Sequence, residues 1–236
     1  MRKTLISIGS AVALIGAVVL GSASTATAAP SFATADPPDQ LAPEVMAEHP
    51  GAEWYAVSPG SGEVLGSNDE PLIEEPAAEP ESGTVTPFLI DTPADWTACF
   101  VAHDQLWELD SVNYWGSSSG PQVKRIQCGY HDSTTDTGFG WHHIQARHQG
   151  EWQGRIDQID GASGAWDDLM AFATKNAIEW PLVDVPRGSN NTRCVSAPTM
   201  MYDADGDYVY TFNPSAVFAT DSDRVITSIP SSSSSC

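Results

Sequence analysis

Between residues 30 and 85 the chain carries no lysine or arginine, twelve acidic residues and nine prolines. Like charges repel along such a stretch, and it offers little apolar surface to bury. Residues 29–85 therefore read as an acidic, proline-rich disordered segment, a linker or propeptide. Trp54, Tyr55 and Val57 form its one apolar patch. A sharper role for it is an acidic mimic that shields a cationic site in the region that follows. On this reading the folded core must come from residues 86–236. Those hold eight of the ten basic residues and seven of the eight tryptophans. About 150 residues suffice for one domain that buries roughly two-thirds of its unfolded surface.

The start of the chain has a different character. Arg2 and Lys3 precede an apolar run over residues 5–20, and Ala26-Thr27-Ala28 fits a small-x-small cleavage site. Residues 1–28 read as a secretory signal peptide. The expectation is a secreted, extracellular chain with no membrane span once the signal is removed. Loss of Arg2 and Lys3 takes the formal charge from −21 to −23. An isoelectric point near 4.2 argues against a protein that coats nucleic acid, because neutralising phosphates needs a basic surface. Export permits disulfides. Cys99, Cys128, Cys194 and Cys236 allow three pairings, and none forms a C-x-x-C pair.

Periodicity within residues 86–236 changes along the chain. Ile144, His148, Trp152, Ile156 and Ile159 recur at helical steps, as do Trp166, Leu169, Met170, Ala173 and Ala177. Ser163 is a plausible N-cap for the second helix. After Pro186 the pattern predicts four strands, at 192–202, 208–212, 216–220 and 224–229. The turns between them are Asp203-Ala204-Asp205-Gly206, Asn213-Pro214-Ser215 and Asp221-Ser222-Asp223. The fold class expected is α+β, with an N-terminal helical part packed on a C-terminal four-stranded antiparallel sheet.

The densest chemistry lies in Gly138-Phe139-Gly140-Trp141-His142-His143-Ile144-Gln145-Ala146-Arg147-His148. His143 and Arg147 are four apart and share a helical face. An imidazole moves protons near neutral pH, and a guanidinium binds phosphate at two points. His148 falls on the apolar stripe, which also fits a packing role. A zinc site is disfavoured because His-His-Ile-Gln-Ala-Arg-His lacks the carboxylate spacing of H-E-x-x-H. Asp203, Asp205 and Asp207 around Gly206 lack the glutamate of a calcium loop and read as a solvated turn. His131, Asp132 and Asp136 sit in a Ser/Thr-rich loop without a defined acid–base geometry.

The motif His143-Ile144-x-x-Arg147-His148 resembles the helix motif of the barnase–EndoU–colicin–RelE group of ribonucleases, above all the toxin domains of exported bacterial systems. Arg224-Val225-Ile226-Thr227-Ser228-Ile229-Pro230 resembles their closing strand. The resemblance implies a toxin or effector that cleaves RNA without metal or other cofactor. The 2′-hydroxyl would be the nucleophile and a 2′,3′-cyclic phosphate the product. His143 would be the general acid/base, with Arg147 and His148 holding the phosphate. Thr227 or Ser228 would hydrogen-bond the scissile phosphate. Arg193, or less directly Lys124 or Arg125, would stabilise charge. RNA is the implied partner, along with a proteinaceous inhibitor. Two alternatives carry no such implication. One is a non-catalytic secreted binding protein on the same fold. The other is a carboxylate-dependent hydrolase, for which Glu108, Glu151 and Glu179 are the available glutamates.

Overall fold

A computed structural model describes residues 37–68, 89–90, 92–117, 120–188 and 190–236. The expected signal peptide lies outside these residues. No helix among them is long and apolar enough to cross a membrane.

The four-stranded sheet expected at the C-terminus is overturned. Its place, and that of the expected α+β arrangement with an N-terminal helical part packed on it, is taken by a seven-stranded antiparallel sheet, and among the described residues strands outnumber helices. Part of the difference arises upstream. Helix α1 (Pro43–Glu48) is followed by strands β1 (Trp54–Val57) and β2 (Val64–Gly66), all inside the segment expected to be disordered. The Trp54-Tyr55-Ala56 patch is the cause: all three side chains are buried, and one short apolar strand is enough to recruit the hairpin to a sheet edge. For residues 37–68 the linker reading is therefore replaced by an ordered hairpin.

Next come a short helix α2 (Pro93–Trp96), which runs into a wider π-type turn at Thr97–Val101, and two small hairpins. The first hairpin pairs β3 (Glu108–Tyr114) with β4 (Gln122–Gln127), and the second pairs β5 (Tyr130–Asp132) with β6 (Thr137–Phe139). The two helices read from periodicity follow as α3 (Gly140–Ile156) and α4 (Trp166–Glu179). Ser163 does not cap α4. It donates to Glu53 beside β1, and Ala165 takes the N-cap position.

Strands β7 (Val183–Arg187), β8 (Thr192–Ser196), β9 (Thr199–Asp203), β10 (Tyr208–Ala219) and β11 (Val225–Ser231) complete the large sheet. Its order runs β2-β1-β9-β10-β8-β7, with β11 on the other side of β10. The predicted stretch 192–202 divides at Ala197-Pro198 into β8 and β9. The predicted turn at Asn213-Pro214-Ser215 is continuous strand instead. There β10 changes partners, pairing with β9 up to Phe212 and with β8 from Ser215. Pro214 is tolerated opposite Pro230, where neither residue has an N–H to lose.

Helix α3 lies along the open edge of β11. The Trp152 indole donates to the Ser228 carbonyl at 3.1 Å, and Arg155 donates to the Pro230 carbonyl at 3.2 Å. Helix α4 packs on β10 and β8. Trp54, Trp141, Ile144, Trp152, Ile156, Leu169 and Phe212 are fully buried in the core between helices and sheet. The cysteines resolve into Cys99–Cys128 and Cys194–Cys236. Such bridges form and persist in oxidising compartments.

Candidate functional site

Helix α3 begins at Gly140, directly after β6, so the β5–β6 hairpin folds back beside the first turns of the helix. Glycine makes the approach possible at two places. A Cβ on Gly138 would lie 2.1 Å from the Tyr130 carbonyl oxygen and 3.1 Å from His143 Nδ1. Gly140 has φ of +71°, and a Cβ there would lie 2.4 Å from the Gln127 carbonyl. The pair read as a mere turn is thus the contact that seats the helix on the hairpin.

The result is a row of imidazoles. His131 on β5 and His143 on α3 face each other with their Nδ1 atoms 3.4 Å apart. His143 and His148 lie edge to face with ring centroids 6.4 Å apart. Arg147, exposed on the same side of the helix, makes an ion pair with Asp136 from the β5–β6 turn. His148 Nδ1 bonds the Glu151 carboxylate at 3.0 Å. His131 also lines a cleft of about 450 Å³, together with His103, Gln105, Tyr130, His142 and Gln145.

Burial of His143 holds its imidazole below the ordinary histidine range, and the nearby His131, His148 and Arg147 push the same way; only Asp136 opposes them. His142 is lowered for the same first reason, with His103 adding to it, against a hydrogen bond to the Cys99 carbonyl. Both rings therefore take up a proton at lower pH than an ordinary histidine does. For stability the consequence has a definite sign. Above about pH 6.5 both the folded and the unfolded rings are neutral. Below it the unfolded rings take up protons first, so stability falls as pH drops toward the lowered folded values. The melting temperature is expected to be flat from pH 7 to 8 and to fall on acidification below about 6.5. Changing His142 and His143 to glutamine should make that fall shallower. An unchanged slope in the double variant would assign the acid sensitivity to other groups.

Of the residues expected at the site, His143, Arg147 and His148 come together. Ser228 does not join them: its hydroxyl is fully buried and accepts from Thr174 on α4 at 2.7 Å. Thr227 points to the opposite face of the sheet from Ser228, in one row with Val217 and Cys194. Its hydroxyl is buried without a hydrogen-bond partner among the described residues. Arg193 is on β8, two strands from β11, where Asp184 accepts from it at 2.7 Å and its guanidinium lies over Tyr114. Lys124 is buried, donating to the carbonyls of Ala219 and Ser222. Arg125 pairs with Glu108 and Asp223. Lys124 and Arg125 tie the β10–β11 turn to the β3–β4 hairpin, and Arg193 joins the neighbouring strands β8 and β7.

Two residues set aside in the sequence as loop residues without acid–base geometry, His131 and Asp136, join the cluster. The available signal was positional. A hairpin that ends one residue before a helix must lay its strand beside the helix's first turns. Among the described residues no set of three or more His, Cys, Asp or Glu side chains is arranged to hold a metal ion. No protein-family model, curated protein or solved structure matches the chain.

Proposed function

We propose that the chain is a metal-independent endoribonuclease of the oxidising extracellular space, with His143 and His131 as its proton-moving pair and Arg147 as its phosphate ligand. The observation that carries this reading is the 3.4 Å approach of the two imidazoles beside an exposed guanidinium. Cleavage of RNA by its own 2′-hydroxyl needs one base and one acid within a few ångströms of one phosphate. The neutral imidazole of His143 takes the proton of the 2′-hydroxyl as that oxygen attacks phosphorus. The P–O5′ bond breaks, and the departing 5′-oxygen takes a proton from the protonated partner, His131. A 2′,3′-cyclic phosphate and a free 5′-hydroxyl result. Arg147 exchanges Asp136 for the phosphate and stabilises its added charge. His148 sits behind His143 and is oriented by Glu151. The buried Ser228 hydroxyl takes no part.

The test uses the full chain with its disulfides intact. It is expected to cleave RNA in excess EDTA and leave ends that carry a 2′,3′-cyclic phosphate. A 2′-deoxy strand of the same sequence should stay whole. Intact RNA under these conditions would remove the reading. One observation favours a second reading, a non-catalytic secreted binding protein: Asp136 already neutralises Arg147. That reading expects no cleavage and an unaltered partner affinity in a His143→Ala, Arg147→Ala variant.

A further inference from the structure

Resting on that assignment, we propose that an aromatic rim beside the histidine pair, formed by Trp96, Trp107 and Tyr130, is a stacking platform for the unpaired bases of single-stranded RNA. The rim and the catalytic cluster share a wall, since His131 faces His143 and also lines the cleft that Tyr130 borders. Tyr130 lines the cleft, Trp107 follows its Gln105 by two residues and Trp96 precedes its Cys99 by three, and all three rings are left in solvent. Trp96 is 50% exposed, Tyr130 39% and Trp107 38%. Each is held in place rather than free to collapse. The Trp96 ring packs on Phe100 with centroids 4.2 Å apart, and Phe100 meets His142 edge to face at 5.2 Å. The Trp107 indole donates to Asp95 at 2.7 Å. Tyr130 meets Phe139 edge to face at 5.5 Å. The Cys128 and Gly129 amides bond the Trp107 and Gln105 carbonyls, and Cys99–Cys128 ties the π-turn to the same strand end.

Charge decides what this surface can bind. The chain has a net charge of −21, and neither a lysine nor an arginine lines the cleft. The acid excess repels a nucleic acid at long range. Its bases can still stack on rigid rings at short range, an interaction that tolerates any sequence. The amides of Gln105 and Gln145, both in the cleft wall, offer donors and acceptors to exposed base edges. A duplex keeps its bases stacked within itself and cannot use such a platform. The substrate is therefore an unpaired strand, held mainly by its bases.

The experiment measures fluorescence anisotropy of a dye-labelled, 2′-O-methylated strand of about eight nucleotides, long enough to span the rim and unable to be cleaved. The full disulfide-bonded chain is titrated against it, against the same strand annealed to its complement, and against a neutral oligosaccharide as competitor. The unpaired strand should bind, with Kd changing by less than about threefold between low and moderate salt. The duplex and the sugar should not compete. Trp96→Ala and Tyr130→Ala should each weaken binding by about tenfold or more while melting with wild-type cooperativity. No binding of the unpaired strand, a steep salt dependence, wild-type affinity in both variants, or displacement by the sugar would each overturn the platform. Failure here with RNA cleavage retained condemns the platform alone. Binding as expected without cleavage supports the platform and removes the catalytic assignment.

Discussion

Alanine in place of His143 is expected to lower RNA cleavage by about a hundredfold to ten-thousandfold, the usual weight of a positioned acid–base group. The fold should survive. His143 is half-buried at the surface of α3, outside the core formed by Ile144, Trp152 and Ile156. Its polar contact is with His131, itself partly exposed. Near-ultraviolet circular dichroism and the melting temperature check this directly. His143→Gln separates proton transfer from packing, because the amide fills the site and bonds His131 but cannot carry a proton at these pH values. It should be as inactive as the alanine variant. His131→Ala should lose a comparable factor. The double variant should lose little more than either single one, because the two rings act as a unit and their effects do not add. In the wild type, the acid limb of the pH–rate profile should fall below the ordinary histidine range, as the burial of His143 and the neighbouring His131, His148 and Arg147 dictate. More than about a tenth of wild-type activity in His143→Ala would move the proton transfer elsewhere.

What was legible in the sequence follows from the range over which its signals act. Helix periodicity is local, and α3 and α4 stand where Ile144, Trp152, Leu169 and Ala173 put them. The joining of His143 and Arg147 follows from their i, i+4 spacing on one helix, whereas the approach of His148, five residues from His143, does not. Strand pairing is nonlocal, and there the reading failed. Nothing near Asn213-Pro214-Ser215 distinguishes a turn from a strand that changes partners, because the deciding contacts come from β8, β9 and β11. Thr227 and Ser228 are adjacent in sequence and lie on opposite faces of the sheet. A motif match that includes both cannot say which faces the helix. The acidic segment misled for a related reason. Composition averaged over residues 30–85 hides four residues, Trp54 to Val57, that suffice to make a strand once β9 offers an edge.

A chain that begins after Asn68 is expected to lose cooperative folding, although the missing segment reads as solvating linker. The deletion removes β1 and β2 and bares the backbone of β9, an unpaired edge that invites aggregation. It takes Trp54, 1% exposed, out of the main core, and with it the bond from its indole to the Ser163 carbonyl at 2.7 Å. Tyr55 leaves the smaller cluster around Tyr202, and Asn176 on α4 loses the Ser58 hydroxyl donated to it at 2.5 Å. The single change Trp54→Ala isolates the largest of these terms. Truncating a buried tryptophan costs about 3–5 kcal/mol. For a domain of this size that lowers the melting temperature by roughly 6–20 °C. Against a total stability of about 5–15 kcal/mol, the whole deletion leaves little or nothing. The competing view, in which the acidic segment merely shields the site, makes the opposite forecast: a trimmed chain that melts normally and cleaves RNA faster. Thermal unfolding of the trimmed chain and of Trp54→Ala, followed by near-ultraviolet circular dichroism, separates the two. A trimmed chain that melts cooperatively within about 3 °C of the full one would return the hairpin to the status of a linker.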